Sequence, residues 1–120
     1  MGNLEKHIEL AREKLQAAIS AYENKQNTVV GDLAVKVVEQ LIEADASRQA
    51  LHFGDHRSRH EFSNKSYPKR ISSAMRKIWF AYGDLGYDGL NGKRAKIVMQ
   101  NLKDIVRFFE EKLTIKLWQK

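Results

Sequence analysis

Three histidines recur at every fourth residue, His52, His56 and His60, with Asp55 and Glu61 beside them. On an unbroken helix that step stacks side chains on one face, and three aligned imidazoles could hold zinc or another transition metal. Gly54 and its polar neighbours argue against such a helix, so the histidines are expected in an exposed loop and no metal is assigned to them. Asp45, Arg48 and His52 make a second constellation, at steps of three and four. A carboxylate, a guanidinium and an imidazole within mutual reach could bind phosphate or orient a general acid or base. A salt bridge closing the end of the core uses the same residues, and that structural reading is preferred.

Positive charge is the broader signal. The chain carries a net charge of +6, and between Gly54 and Lys77 seven cations stand against two carboxylates. Arg57, Arg59, Lys69, Arg70, Arg76 and Lys77 are the candidate binding residues in this segment, with Lys65 among them in sequence. Lys69 and Arg76 lie seven apart, as do Arg70 and Lys77, which on a helix makes a two-column stripe. Such a local excess suits an anionic partner, either RNA or an acidic protein surface; a merely solvated face is the competing reading. Tyr82, Asp84, Tyr87 and Asp88 form a smaller cluster, readable as a recognition patch or as ordinary loop chemistry. No glycine-rich phosphate loop, paired-carboxylate motif or nucleophile elbow is present.

These residues need elements to position them. At 120 residues the chain is read as one domain, 1–120, large enough for a single core. Its 42% hydrophobic and 30% charged residues are those of a folded chain rather than a disordered one. The absence of cysteine excludes disulfides and thiolate chemistry. No apolar run approaches the ~20 residues of a membrane span and the start lacks a hydrophobic signal region, so a cytoplasmic protein without membrane contact is expected.

Apolar residues recur at helical spacing four times. Leu4, Ile8, Ala11, Leu15, Ala18, Ile19 and Tyr22 predict a helix over 3–25, and Leu33, Ala34, Val37, Val38, Leu41 and Ile42 one over 29–53 stopped by Gly54. Residues 54–66 show no period and read as a loop with at most one helical turn. Ser66 before Tyr67-Pro68 opens a third helix, whose stripe is Ile71, Ala74, Met75, Ile78, Trp79, Tyr82 and Leu85. The fourth, over 91–117, carries Ala95, Val98, Met99, Leu102, Ile105, Val106, Phe109 and Leu113. Phe108, Leu117 and Trp118 fall beside that stripe, either as a dimer contact or as local packing. Four stripes and short links predict an all-α antiparallel up-and-down four-helix bundle.

The order of features resembles the HEPN superfamily of small bacterial and archaeal helical bundles. The resemblance runs from Ala17-Ala-Ile-Ser-Ala-Tyr-Glu-Asn-Lys through Gly31-Asp-Leu-Ala-Val-Lys-Val-Val-Glu-Gln-Leu-Ile-Glu-Ala and a histidine-bearing loop. It continues with Ala81-Tyr-Gly-Asp-Leu-Gly-Tyr and ends at Phe108-Phe-Glu-Glu-Lys-Leu. It implies a bundle of four to five helices, homodimers, and partnership with a minimal nucleotidyltransferase in toxin–antitoxin pairs. It also implies, for many members, metal-independent ribonuclease activity from an arginine followed after four to six residues by a histidine. This chain departs from that spacing: Arg48 leaves three residues before His52 and seven before His56. The expected function is therefore a non-catalytic, dimeric HEPN-like binding module without cofactor, engaging RNA or an acidic protein such as a nucleotidyltransferase through 54–77. The alternative is a ribonuclease of irregular arrangement, with Arg48 or Arg57 on the phosphate and His52, His56 or His60 as acid and base.

Overall fold

The computed structural model describes residues 2–85 and 92–118. They are all-helical, in the order α1 (Gly2–Glu23), α2 (Asn27–Ser47), α3 (His56–Ser66), α4 (Lys69–Leu85) and α5 (Gly92–Leu113), with no strand among them. The four expected apolar stripes supply the core. Ala11, Leu15 and Ala18 of α1, Ile71, Met75 and Ile78 of α4, and Ala95, Val98, Leu102, Ile105, Val106 and Phe109 of α5 are all buried. Each set recurs at three- and four-residue steps, so each helix turns one face inward.

α2 is different, because it is buried almost all the way round. Val30, Ala34, Val35, Val37, Val38, Leu41, Ile42, Ala44 and Ala46 are buried together with three acids, Glu39, Glu43 and Asp45. It packs against each of the other four helices and so forms the axis of the molecule. Its many valines are modest helix formers, a deficit of a few tenths of a kcal/mol each that burial outweighs.

Two expectations are corrected here. The second helix does not run to residue 53 but ends at Ser47. Ala50 takes φ +60°, and the N–H of Leu51 returns to the carbonyl of Ala46 while that of Ala50 returns to Ser47. This is a left-handed helix stop made without glycine, whereas Gly54 is the stop that residue type alone points to. α1 ends the same way at Lys25 (φ +60°), with Gln26 bonded back to Ala21. α5 ends so at Thr114 (φ +56°), with Ile115 bonded back to Glu110.

The second correction concerns residues 54–66, which form the helix α3 rather than a loop. Asp55 caps it, its Oδ1 accepting the N–H of Ser58 at 2.7 Å. That hydrogen bond also holds the Asp55 carboxyl below its usual range. An apolar stripe is missing because Phe62 is the one apolar residue of α3, and ion pairs of Arg59 and His56 with α2 supply the rest of its attachment. Past α5 the chain folds back, and Glu110 Oε2 accepts the N–H groups of Leu117 and Trp118, each at 2.7 Å. Leu117 and Trp118 are buried in the core, and Phe108 packs edge-on against Phe109 and Tyr67. That trio is therefore engaged in the chain's own packing rather than displayed for a second copy.

Candidate functional site

The buried acids of α2 organise the polar side of the molecule. Glu39 and Glu43 stand four residues apart, hence on one helix face, and both turn toward α3. Glu43 Oε1 accepts the N–H of Phe53 at 3.1 Å and meets Nδ1 of His52 at 3.3 Å. Its Oε2 accepts the N–H of Gly54 at 3.0 Å and Nε of Arg59 at 2.8 Å. Burial disfavours the charged carboxylate. The N–H groups of Gly54 and Phe53 and the Arg59 guanidinium together outweigh that, so its pKa lies below the ordinary range. Glu39 Oε2 meets Nδ1 of His56 at 2.6 Å and accepts from Nη1 of Arg59 at 3.1 Å.

Gly54 has φ +78°, and this left-handed residue turns the chain so that successive N–H groups reach one carboxylate. A neighbour from α1 completes the group. His7 Nδ1 lies 2.7 Å from Oε1 of Gln40, and its ring stacks near that of His52, 6.1 Å between centroids.

The predicted site residues separate accordingly. His52, His56 and His60 do not converge: the first goes to Glu43, the second to Glu39, and the third lies against Trp79 with ring centroids 3.7 Å apart. Arg48 pairs with Asp45 at 3.2 Å, as the spacing predicts. His52 is drawn away from that pair because the left-handed turn at Ala50 reverses the chain before it. Asp45 instead accepts the hydroxyl proton of Tyr67 at 2.7 Å, and burial, then this bond to a carboxylate, pushes the Tyr67 phenol strongly upward.

Among the candidate cations, Arg59 is turned inward between the two glutamates, 13% exposed, and its charge is answered there. The α3–α2 packing makes it part of the frame. Arg57 is exposed and pairs with Glu61 of its own helix. Lys69, Arg70 and Lys77 are exposed on α4 and meet no carboxylate among the described residues. Arg76 is half-buried and braced, Nη1 donating to Asn64 Oδ1 at 3.0 Å and Nη2 to Ser73 Oγ at 3.2 Å. Tyr87 and Asp88 lie outside the described residues, as do the side chains of Tyr82 and Asp84.

Sequence reasoning missed His7, Gln40, Glu39 and Glu43. Two glutamates at a four-residue step in the most apolar helix were the available signal, since buried carboxylates need partners. His7, Glu43 and His52 bring one ligand atom each within 4.8 Å of one another. Glu43, however, already accepts from two backbone N–H groups and Arg59. A cation there would displace a bond the fold relies on and sit beside a guanidinium, so the donor set does not fit a metal. What the arrangement offers is two exposed imidazoles, His52 and His56, each with Nδ1 held by a buried glutamate. That contact fixes the ring and leaves Nε2 as the free position.

No protein-family model matches this chain, and no curated protein or solved structure matches it.

Proposed function

We propose that this chain is a HEPN-like module, its four long helices an up-and-down bundle with α3 as a side element, that dimerises and binds RNA. The observation that carries the reading is the set of exposed cations on the consecutive helices α3 and α4. Arg57 and Lys65 on α3 and Lys69, Arg70 and Lys77 on α4 are all exposed, and the last four meet no carboxylate among the described residues. Unanswered cations release counterions when they meet phosphates, which favours a polyanion.

The test is a titration of a short labelled single-stranded RNA at several salt concentrations. Each neutralised contact among Lys69, Arg70 and Lys77 (to Gln) should lower the log–log salt slope by about 0.7. A triple variant that binds RNA as the wild type does would overturn the reading. Binding of an acidic protein, such as a nucleotidyltransferase, with none of RNA would transfer the same surface to that partner.

A second reading, a metal-independent ribonuclease, is favoured by His52 and His56, whose rings are each held by a buried glutamate. One Nε2 would take the proton of a ribose 2′-hydroxyl as its oxygen attacks the adjacent phosphorus. The other imidazole, protonated, would hand its proton to the departing 5′-oxygen as that P–O bond breaks. Arg57 or Arg48 would offset the charge gathering on the phosphoryl oxygens. Cleavage in the presence of a chelator, lost in both His52→Ala and His56→Ala, supports it; RNA binding with no cleavage leaves the module.

A further inference from the structure

His60 of α3 and Arg76, Trp79 and Phe80 of α4 line an open cavity of about 350 Å³. Phe80 is 77% exposed, far more than the other exposed large hydrophobics of the described residues. Its ring does not pack against the hydrophobic core. Resting on the RNA reading above, we propose that this cavity receives one unpaired nucleobase of the bound strand, stacked on Phe80, with the charge of Arg76 facing the strand.

Three observations favour that occupant. An exposed aromatic ring beside a guanidinium is the pairing that holds single-stranded bases, because every base offers a π face and its phosphate a negative charge. Arg76 is already fixed by Asn64 and Ser73, so little freedom is lost when it meets a ligand. Burial, then the charges of His56 and Arg76, holds the pKa of His60 below its usual value, so at neutral pH its ring is an uncharged surface against Trp79. A second copy of the chain fits less well. In a two-fold contact the same patch meets itself, so the positive charge of Arg76 and exposed Lys77 would meet a patch of the same sign.

The experiment compares a short single-stranded RNA with a strand of the same length lacking its bases, by fluorescence anisotropy. Phe80→Ala should weaken RNA binding about tenfold and leave the base-free strand and the salt slope unchanged. Phe80→Trp should restore RNA binding. Lys77→Gln should lower the salt slope for both strands alike. Phe80 is exposed, so its loss should leave the fold intact, which circular dichroism checks. RNA binding unchanged in Phe80→Ala overturns the base site while the RNA reading stands. Wild-type protein that binds neither strand overturns both. Sedimentation showing that Phe80→Ala turns a dimer into a monomer assigns the face to self-association and overturns the proposal as well.

Discussion

Arg59 Nε lies 2.8 Å from Glu43 Oε2, while its Nη1 lies 3.1 Å from Glu39 Oε2, so one guanidinium bridges two buried carboxylates. This contact fastens a helix with almost no apolar face to the most apolar helix in the chain. Removing one partner of a buried pair strands the other, at about 3–5 kcal/mol. Arg59→Met should fall near the lower end, because Phe53 and Gly54 still donate to Glu43. Urea unfolding checks this, and a loss well under 1 kcal/mol would mean that α3 is held by something else.

Stability should fall over two successive pH windows as acid is added. The folded pKa of His60 is lowered from 6.5, so below 6.5 the unfolded chain binds the proton more readily and stability falls as the pH drops toward the folded value. Glu43 and Glu110 are both lowered from 4.5, so their contribution is present above that pH and is lost as pH falls through their folded values. Stability measured against pH should show both stages. His60→Gln should flatten the first stage, and Glu43→Gln should reduce the second to the part that Glu110 supplies.

Three helices stop on left-handed residues that carry side chains. Lys25, Ala50 and Thr114 have φ of +60°, +60° and +56°. Glycine adopts that region freely, while its greater unfolded-state freedom takes back part of the gain. Lys25→Gly and Ala50→Gly should each stabilise by about 0.5–1 kcal/mol. Thr114→Gly should give the largest gain, since β-branched residues tolerate that region least. Thermal melts of the three variants test the ranking.

The stops explain what was and was not legible. Glycine marks a helix end in sequence, whereas lysine, alanine and threonine do not, so the apolar period carries the expected second helix on to residue 53. α3 lacked an apolar period for a related reason. Its inner face is Arg59, buried Ser63 and half-buried Phe62, and Ser63 Oγ donates to Met75 Sδ at 2.9 Å. A face with one phenylalanine among ionic and polar contacts looks like a solvated segment until its partners are known. Asp55, three residues before the Ser58 N–H that it accepts from, was the one local sign of a helix start.

The sequence alone determined that the chain is helical and which faces of α1, α4 and α5 turn to the core. Periodicity at three and four residues is a local property, and burying an apolar stripe is favourable whatever it meets. It also determined where the positive charge lies, and the exposure of Lys69, Arg70 and Lys77 agrees with it. Only the tertiary structure decided which charges answer each other. His7 and His52 are 45 residues apart in the chain and Glu39 and Arg59 are 20 apart. Whether they meet depends on where helices stop and how the chain reverses, and a buried carboxylate draws in whichever donors those turns bring within reach.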